Sequence, residues 1–282
     1  SMTKMRDRLV KNCKKAGAVL AVLSLTAGSI FGMTGCIGGM TPKKLLQESS
    51  ANMLKVTSSS NHVELAIQMS DVLDLREVNM ELDTENTTEP PAGHAKGTAT
   101  VNIKDSKVSA DLELYQTEED GKYVTYSSMD GKWTKEAADS NEENHLGVDG
   151  NIFAHEGKAM ESFHLSEDTV KVDGVECYQM YGDVSGSELI GLLGRDMVTA
   201  FNLVELPDET AIRELQIPVI FDIYKDEMLP AKIVVDMSDV LNELYDSFGE
   251  TTKVNLYSIE LKFTDYNQVE EIQVPDEVKN AV

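Results

Sequence analysis

The sequence predicts an α+β domain built on a large antiparallel sheet, and three observations predict it. Apolar residues alternate with polar ones over most of the chain, the period of a strand with one buried face. Turn signals separate these runs at short, regular intervals. Helical spacing is confined to a few segments at the start, in the middle and near the end. With 282 residues, 41% of them hydrophobic, the chain has material for a real core.

Thr41-Pro42 reads as N-cap and first helical residue, opening a helix to about Leu54 with Leu46, Ser50, Met53 and Leu54 on one face. Val63, Leu65, Ile67 and Met69 then point one way along a first strand. Val78, Met80 and Leu82 repeat the pattern, followed by Ala99, Val101 and Ile103, and by Val108, Ala110, Leu112 and Leu114. Pro90-Pro91-Ala92-Gly93 and Lys104-Asp105-Ser106 mark turns between them. Tyr123 to Ser128 is a further strand, and Asp130-Gly131 turns it into Lys132-Trp133-Thr134.

The rhythm breaks from Glu136 to Asp168, where Ile152, Phe153, Met160 and Phe163 suggest an amphipathic helix. Strand character returns around the Asp173-Gly174 turn. Ser185 with Glu188 forms a capping box, and the helix behind it places Leu189, Ile190, Leu193, Met197, Ala200, Phe201 and Val204 on one stripe. Strands resume at Ile217 to Tyr224 and Ala231 to Met237, and Ser238 to Phe248 is a short helix carrying Val240, Leu241, Leu244, Tyr245 and Phe248. A last strand, Val254 to Tyr266, buries Tyr257, Ile259, Leu261 and Phe263. Met69-Ser70-Asp71-Val72-Leu73-Asp74 echoes Met237-Ser238-Asp239-Val240-Leu241-Asn242; a shared strand-to-helix cap explains this more simply than a duplicated half.

Ahead of this body stands a leader. Lys4, Arg6, Arg8, Lys11, Lys14 and Lys15 form a basic head, Ala16 to Gly35 carries no charge, and Met33-Thr34-Gly35-Cys36 follows the apolar run. Basic head, apolar middle and small residues before a cut are the parts of an export signal. The four residues resemble a bacterial lipobox, with Met33 where Leu is usual. That resemblance implies cleavage of residues 1–35, a diacylglyceryl group on the Cys36 sulfur, and a short tether, 36–40. An uncleaved membrane helix would leave the Gly-Cys junction unexplained.

The charge balance is 25 Lys+Arg against 49 Asp+Glu, a net −24. Removing residues 1–35 takes away six basic residues and one acid, leaving 19 against 48 and a net −29. Nucleic-acid binding and docking on anionic lipid are therefore excluded as main activities, and the acyl chains alone must hold the protein at a membrane. No nucleophile elbow, phosphate-binding loop, dinucleotide fingerprint or paired-histidine zinc helix is present. The histidines, at 62, 94, 145, 155 and 164, never sit three or four apart. Asp139, Asn141, Glu143, Asp149 and Asn151 could gather calcium but lack EF-hand spacing. Cys177 reads as a small buried hydrophobe and Trp133 as a packing residue. No catalytic residue, metal site or cofactor is expected.

Lipobox, tether, Thr-Pro-capped helix, long meander, mid-chain helices and closing strands together resemble the bacterial lipoproteins with a LolA-like or LppX-like fold. The local signs are Thr41-Pro42-Lys43-Lys44-Leu45-Leu46 and Phe263-Thr264-Asp265-Tyr266 leading to Val274-Pro275. The resemblance implies one domain over 41–282: a strongly curved antiparallel sheet, an open half-barrel, with helices covering the concave face. Characterised members carry lipids or lipoprotein acyl chains between sheet and helices. The expectation is a monomeric, lipid-anchored, extracytoplasmic protein that binds an apolar or amphiphilic ligand such as a lipid. Its cavity would be lined by Leu189, Leu193, Met197 and Phe201 on one side and Met69, Met80 and Leu112 on the other. The rival expectation is a non-catalytic interaction lipoprotein with a filled core.

Overall fold

The structure, a computed structural model, describes residues 39–72, 74–139, 162–193, 206 and 208–282. The leader, Cys36, most of the insertion around His145 and His155, and Met197 and Phe201 lie outside the described residues. Among the described residues no helix is long and apolar enough to cross a membrane.

Helix α1 (Pro42–Met53) begins as its sequence dictates: the Thr41 hydroxyl accepts from the Lys44 amide at 3.2 Å and Pro42 takes the first turn. It buries Leu45, Leu46, Ser49, Ser50 and Met53. Leu54 is 53% exposed, because the helix has ended and the chain has turned by that point.

Six strands follow as an uninterrupted meander: β1 (Ser58–Ser70), β2 (Leu75–Thr88), β3 (Pro91–Ile103), β4 (Ser106–Glu119), β5 (Lys122–Met129) and β6 (Lys132–Asp139). Their links are tight. Asp130 and Gly131 both have positive φ, which lets a two-residue turn match the twist of β5 and β6. After the insertion come the short β7 (His164–Leu165) and β8 (Val170–Val172), then β9 (Val175–Ser185). Helices α2 (Gly186–Leu193) and α3 (Glu209–Glu214) precede β10 (Gln216–Tyr224) and β11 (Pro230–Asp236). Helix α4 (Ser238–Ser247), β12 (Lys253–Thr264) and α5 (Asp276–Asn280) complete the chain.

The strands form one 12-stranded sheet in the order β6-β5-β4-β3-β2-β1-β12-β11-β10-β9-β7, with β8 pairing β9. The first and last strands pair at its centre, Val63 opposite Leu261 and Leu65 opposite Ile259. Both edges of the sheet thus adjoin the mid-chain insertion in sequence.

One face of the sheet carries Val63, Leu65, Ile67, Met80, Leu82 and their neighbours, and forms the main core together with Leu45 and Leu46 of α1, Leu189 of α2, Ile212 of α3 and Leu241 of α4. We call it the apolar face. A second core lies on the opposite face, where Val274 and Val278 of the C-terminal segment cover Tyr115, Val124 and Tyr126, with Trp133 beside them. The packing role expected for Trp133 is met there.

The capping box at α2 is formed from both sides: the Glu188 amide donates to Ser185 Oγ at 3.1 Å and the Ser185 amide to Glu188 Oε2 at 3.1 Å. Gly186 opens that helix because a Cβ there would collide with the Ile212 carbonyl of α3. Helix α4 buries Leu241, Leu244 and Tyr245, but Phe248 is 50% exposed, lying beyond the last helical turn. The sequence echo has no common structural role. Its second copy opens α4, whereas Asp71 and Asp74 exchange backbone hydrogen bonds in the β1–β2 connection. Nor does Ser238 cap α4: its amide donates to Asp236 and its hydroxyl accepts from the Tyr257 amide.

Candidate functional site

Antiparallel register sets side chains of one face into rows that run across the strands. On the apolar face, one row reads Val63, Leu82, Gly97, Leu112 on one side of the centre. It continues through Leu261, Ile233, Phe221 and Met180 on the other. The next reads Leu65, Met80, Ala99, Ala110, and the next Ile67, Val78, Val101, Val108. These rows make a continuous apolar surface across the middle of the sheet.

The residues expected to line a cavity distribute unevenly over it. Met80 and Leu112 lie in adjacent rows on β2 and β4, and Met69 lies near the end of β1 beside a register shift. Leu189 is fully buried in the same core, but its helix rests on α3, β9 and β10, four strand positions from β2. Leu193 closes the described part of α2, and Met197 and Phe201 lie outside the described residues.

Toward the end of the sheet where β1 begins, the same face turns polar. Ser59, Asn86, Gly93 and Gln116 form one row, and Asn61, Thr84, Ala95 and Leu114 the next. Ser59, Asn61 and Thr84 are 0%, 5% and 1% exposed. Yet among the described residues Ser59 Oγ, Asn61 Oδ1 and Thr84 Oγ1 find no hydrogen-bond partner. Sequence reading began the strand pattern at Val63 and so passed over this region. The signal was present: Ser59 and Asn61 continue the same period of two, and Thr84 and Asn86 extend it from Leu82.

The opposite, polar face is charged along the same strands. Glu260, Glu64 and Glu81 stand directly opposite one another on β12, β1 and β2. In the neighbouring row, His62 Nε2 lies 3.1 Å from Glu64 and 3.0 Å from Glu81, and Nδ1 lies 2.6 Å from Asp83. Carboxylates accept only, so His62 bonds them through both ring nitrogens when it is an imidazolium. Its partial burial opposes that charge, but hydrogen bonds to Asp83 and Glu64 outweigh it and hold the pKa above the usual histidine value. His62, Glu64 and Glu81 are the one group among the described residues with ligand atoms gathered as a metal site would need. The imidazolium satisfies the same carboxylates by itself.

Asp222 and Cys177 are buried titratable groups on the other half of the sheet. Asp222 is held above the usual carboxylate range by desolvation, although Gln179 Nε2 donates to it at 2.9 Å. Burial pushes the Cys177 thiol up to about 11, so it stays protonated and inert, as a buried apolar cysteine should. His164 stands near Tyr181 at the sheet edge. The calcium candidates Asn141, Glu143, Asp149 and Asn151 fall outside the described residues.

A family model described as a family of unknown function, DUF6612, matches residues 41–282. The chain belongs to that family. No curated protein matches it. Among solved structures it is similar to LprF from Mycobacterium bovis, at 13% identity over 83% of this chain and 96% of that one, with a TM-score of 0.49. It is also similar to the lipoprotein LppX of Mycobacterium tuberculosis, at 14% identity over 82% of this chain and 98% of that one, with a TM-score of 0.42.

Proposed function

We propose that this DUF6612 protein is a non-enzymatic, lipid-anchored extracytoplasmic carrier of an apolar or amphiphilic ligand. The observation that supports it best is the set of contiguous apolar rows on one face of the sheet, from β4 across β1 and β12 to β9. In this reading the sheet curves into an open half-barrel, helices lie over its concave face, and the ligand's apolar part sits between them. Cys36 carries the acyl anchor, residues 36–40 are the tether, and the protein works as a monomer. A body this acidic makes no contribution to membrane adhesion, so the anchor alone sets its location.

One observation favours the second reading, an interaction lipoprotein with a filled core. Met69, Met80, Leu112 and Leu189 are all buried, as residues of a closed core would be. Native mass spectrometry of the full chain from its own host's membranes separates the two. A carrier arrives with a lipid-sized mass that is lost on activation, while a chain that flies only at its own mass sinks the carrier reading. Cys36→Ser tests the anchor independently: the variant should leave the membrane fraction or keep its leader, and unchanged fractionation would overturn that assignment.

A further inference from the structure

The polar face of the sheet carries a donor set that the carrier does not use. His62 and Glu64 stand two apart on β1 and so share that face. Antiparallel register sets Asp83 directly opposite His62, and Glu81 directly opposite Glu64, on β2. Residues so placed have Cβ atoms only about 4.5–5.5 Å apart, and the four side chains converge on one patch. The scaffold beneath is stiff, since β1 is paired with β2 on one side and β12 on the other.

The donors have the spacing of a coordination shell. Nε2 of His62 lies 3.1 Å from Glu64 Oε1 and 3.0 Å from Glu81 Oε1, and the three ligand atoms fall within 4.8 Å of one another. Bonds of about 2.0–2.2 Å from a metal to imidazole and carboxylate, set near a right angle, put neighbouring donors about 3 Å apart. Nδ1, the other ring nitrogen, lies 2.6 Å from Asp83 Oδ1. A carboxylate in that place is the usual outer partner of a metal-bound histidine: it accepts from Nδ1–H, fixes the ring and leaves Nε2 to the metal. An oriented imidazole sets this group apart from the chain's many exposed acids.

Lysines on the adjoining strands do not neutralise the two glutamates. Lys262, opposite His62 on β12, lies 3.3 Å from Asp173, and Lys232 beyond it lies 3.8 Å from Glu260. Lys96 stands opposite Asp83 on β3. Among the described residues neither Glu64 nor Glu81 forms an ion pair with lysine or arginine. Facing carboxylates on adjacent strands repel, and one divalent ion offsets both.

We infer that His62 Nε2, Glu64 and Glu81 bind a divalent metal ion of the zinc class, with Asp83 as the positioning residue behind the ring. Without metal the imidazolium spans the carboxylates. On binding, the ion replaces the Nε2 proton, which passes to solvent, while Nδ1–H stays on Asp83. The imidazole nitrogen favours zinc and its neighbours over calcium and magnesium, which take shells of oxygen. Three protein ligands leave a coordination position open to water. The site lies on the face opposite the apolar rows, so it stands or falls independently of the carrier reading.

The test titrates the full chain, freed of metal, with Zn²⁺ in a large excess of Ca²⁺, which occupies carboxylates of no particular geometry. Binding is followed by calorimetry and by NMR of the histidine rings. The wild type should bind a Zn²⁺ that shifts the His62 ring signals and leaves those of His94 and His164 in place. Asp83→Ala should weaken that binding by about 10–100-fold, and His62→Ala by more. Glu64→Gln and Glu81→Gln should each weaken it as well. Thermal melting of the metal-free proteins shows that the variants fold, and Zn²⁺ should raise the melting temperature of the wild type but not of His62→Ala. Binding at full strength in His62→Ala, or shifts confined to other histidines, puts the metal elsewhere and overturns the site. So does loss of Zn²⁺ binding to the competing Ca²⁺, which leaves only the attraction of acids for cations. An unchanged affinity in Asp83→Ala removes Asp83 from the assignment.

Discussion

Strand β1 presents two faces built on different physics. Val63, Leu65, Ile67 and Met69 point to one side and are buried, while His62, Glu64, Ala66 and Gln68 point to the other and keep contact with solvent. On the first side neighbours touch through apolar surface, and the register of β1 with β2 and β12 matters because a slip of one residue would invert the whole set. On the second side Glu64 faces glutamates on both neighbouring strands, an unfavourable arrangement that His62 offsets. The comparison teaches that burial specifies the fold of this strand, and that the charges adapt to a geometry already chosen.

The largest expected effect comes from emptying the apolar side. Leu65 is fully buried at the centre of the sheet, between Met80 and Ile259. Leu65→Ala should lower stability by about 2–5 kcal/mol, measured by denaturant unfolding. Glu64→Ala, one residue away on the other side, should stay within about 0.5 kcal/mol of wild type. Similar losses for the two would break the contrast between the faces.

A smaller effect tests a place where the polar face is itself covered. Val278 packs with Tyr115 and Tyr126, and Val278→Ala should cost about 1–3 kcal/mol, since burying a valine side chain is worth about that much. Trp133 is the only tryptophan in the chain and borders this cluster, so its emission should shift to the red in Val278→Ala and stay put in Leu65→Ala at temperatures where both are folded. A shift in both would mean that the two cores are not separate. Next in size is the entry to the core helix, where Thr41→Ala should cost about 1 kcal/mol through loss of the bond to the Lys44 amide.

Legibility in the sequence followed the same division. Positions read from packing alone were recovered: the inward residues of β1, β2, β4 and β12, the Thr41 cap and the Ser185–Glu188 box all stand where local pattern places them. What escaped depends on contacts between distant parts of the chain. Nothing local says that β1 pairs with β12, or that Val274 and Val278 close a second core over Tyr115. The Asp208-capped helix α3 is too short to show a periodicity. The polar end escaped for another reason: inward serines and asparagines look like the end of a strand when inwardness is judged by hydrophobicity alone. Of the cavity residues expected, Met80 and Leu112 do lie in neighbouring rows, whereas Leu189 belongs to the other half of the sheet.

The smallest effect expected is also the one that isolates the polar face, because it moves with pH while the apolar face does not. His62 has a pKa above 6.5 in the folded chain, raised by Asp83 and Glu64 against a desolvation that works the other way. A folded-state pKa above the unfolded one means that folding is favoured by protonation. The contribution is therefore fully present below about pH 6.5, the unfolded value, and is lost as pH rises through the folded value. Stability measured from pH 5.5 to 8.5 should show His62→Gln destabilised at the acid end, with the gap to wild type closing toward the alkaline end. Because the partner carboxylates of the half-buried His62 are solvent-exposed, added salt should shrink the gap at every pH. Proton NMR of the ring should give the raised pKa directly, and Glu64→Gln should bring it down. A His62 pKa at or below 6.5, or a gap that widens with pH, would remove histidine as the group that offsets the facing glutamates.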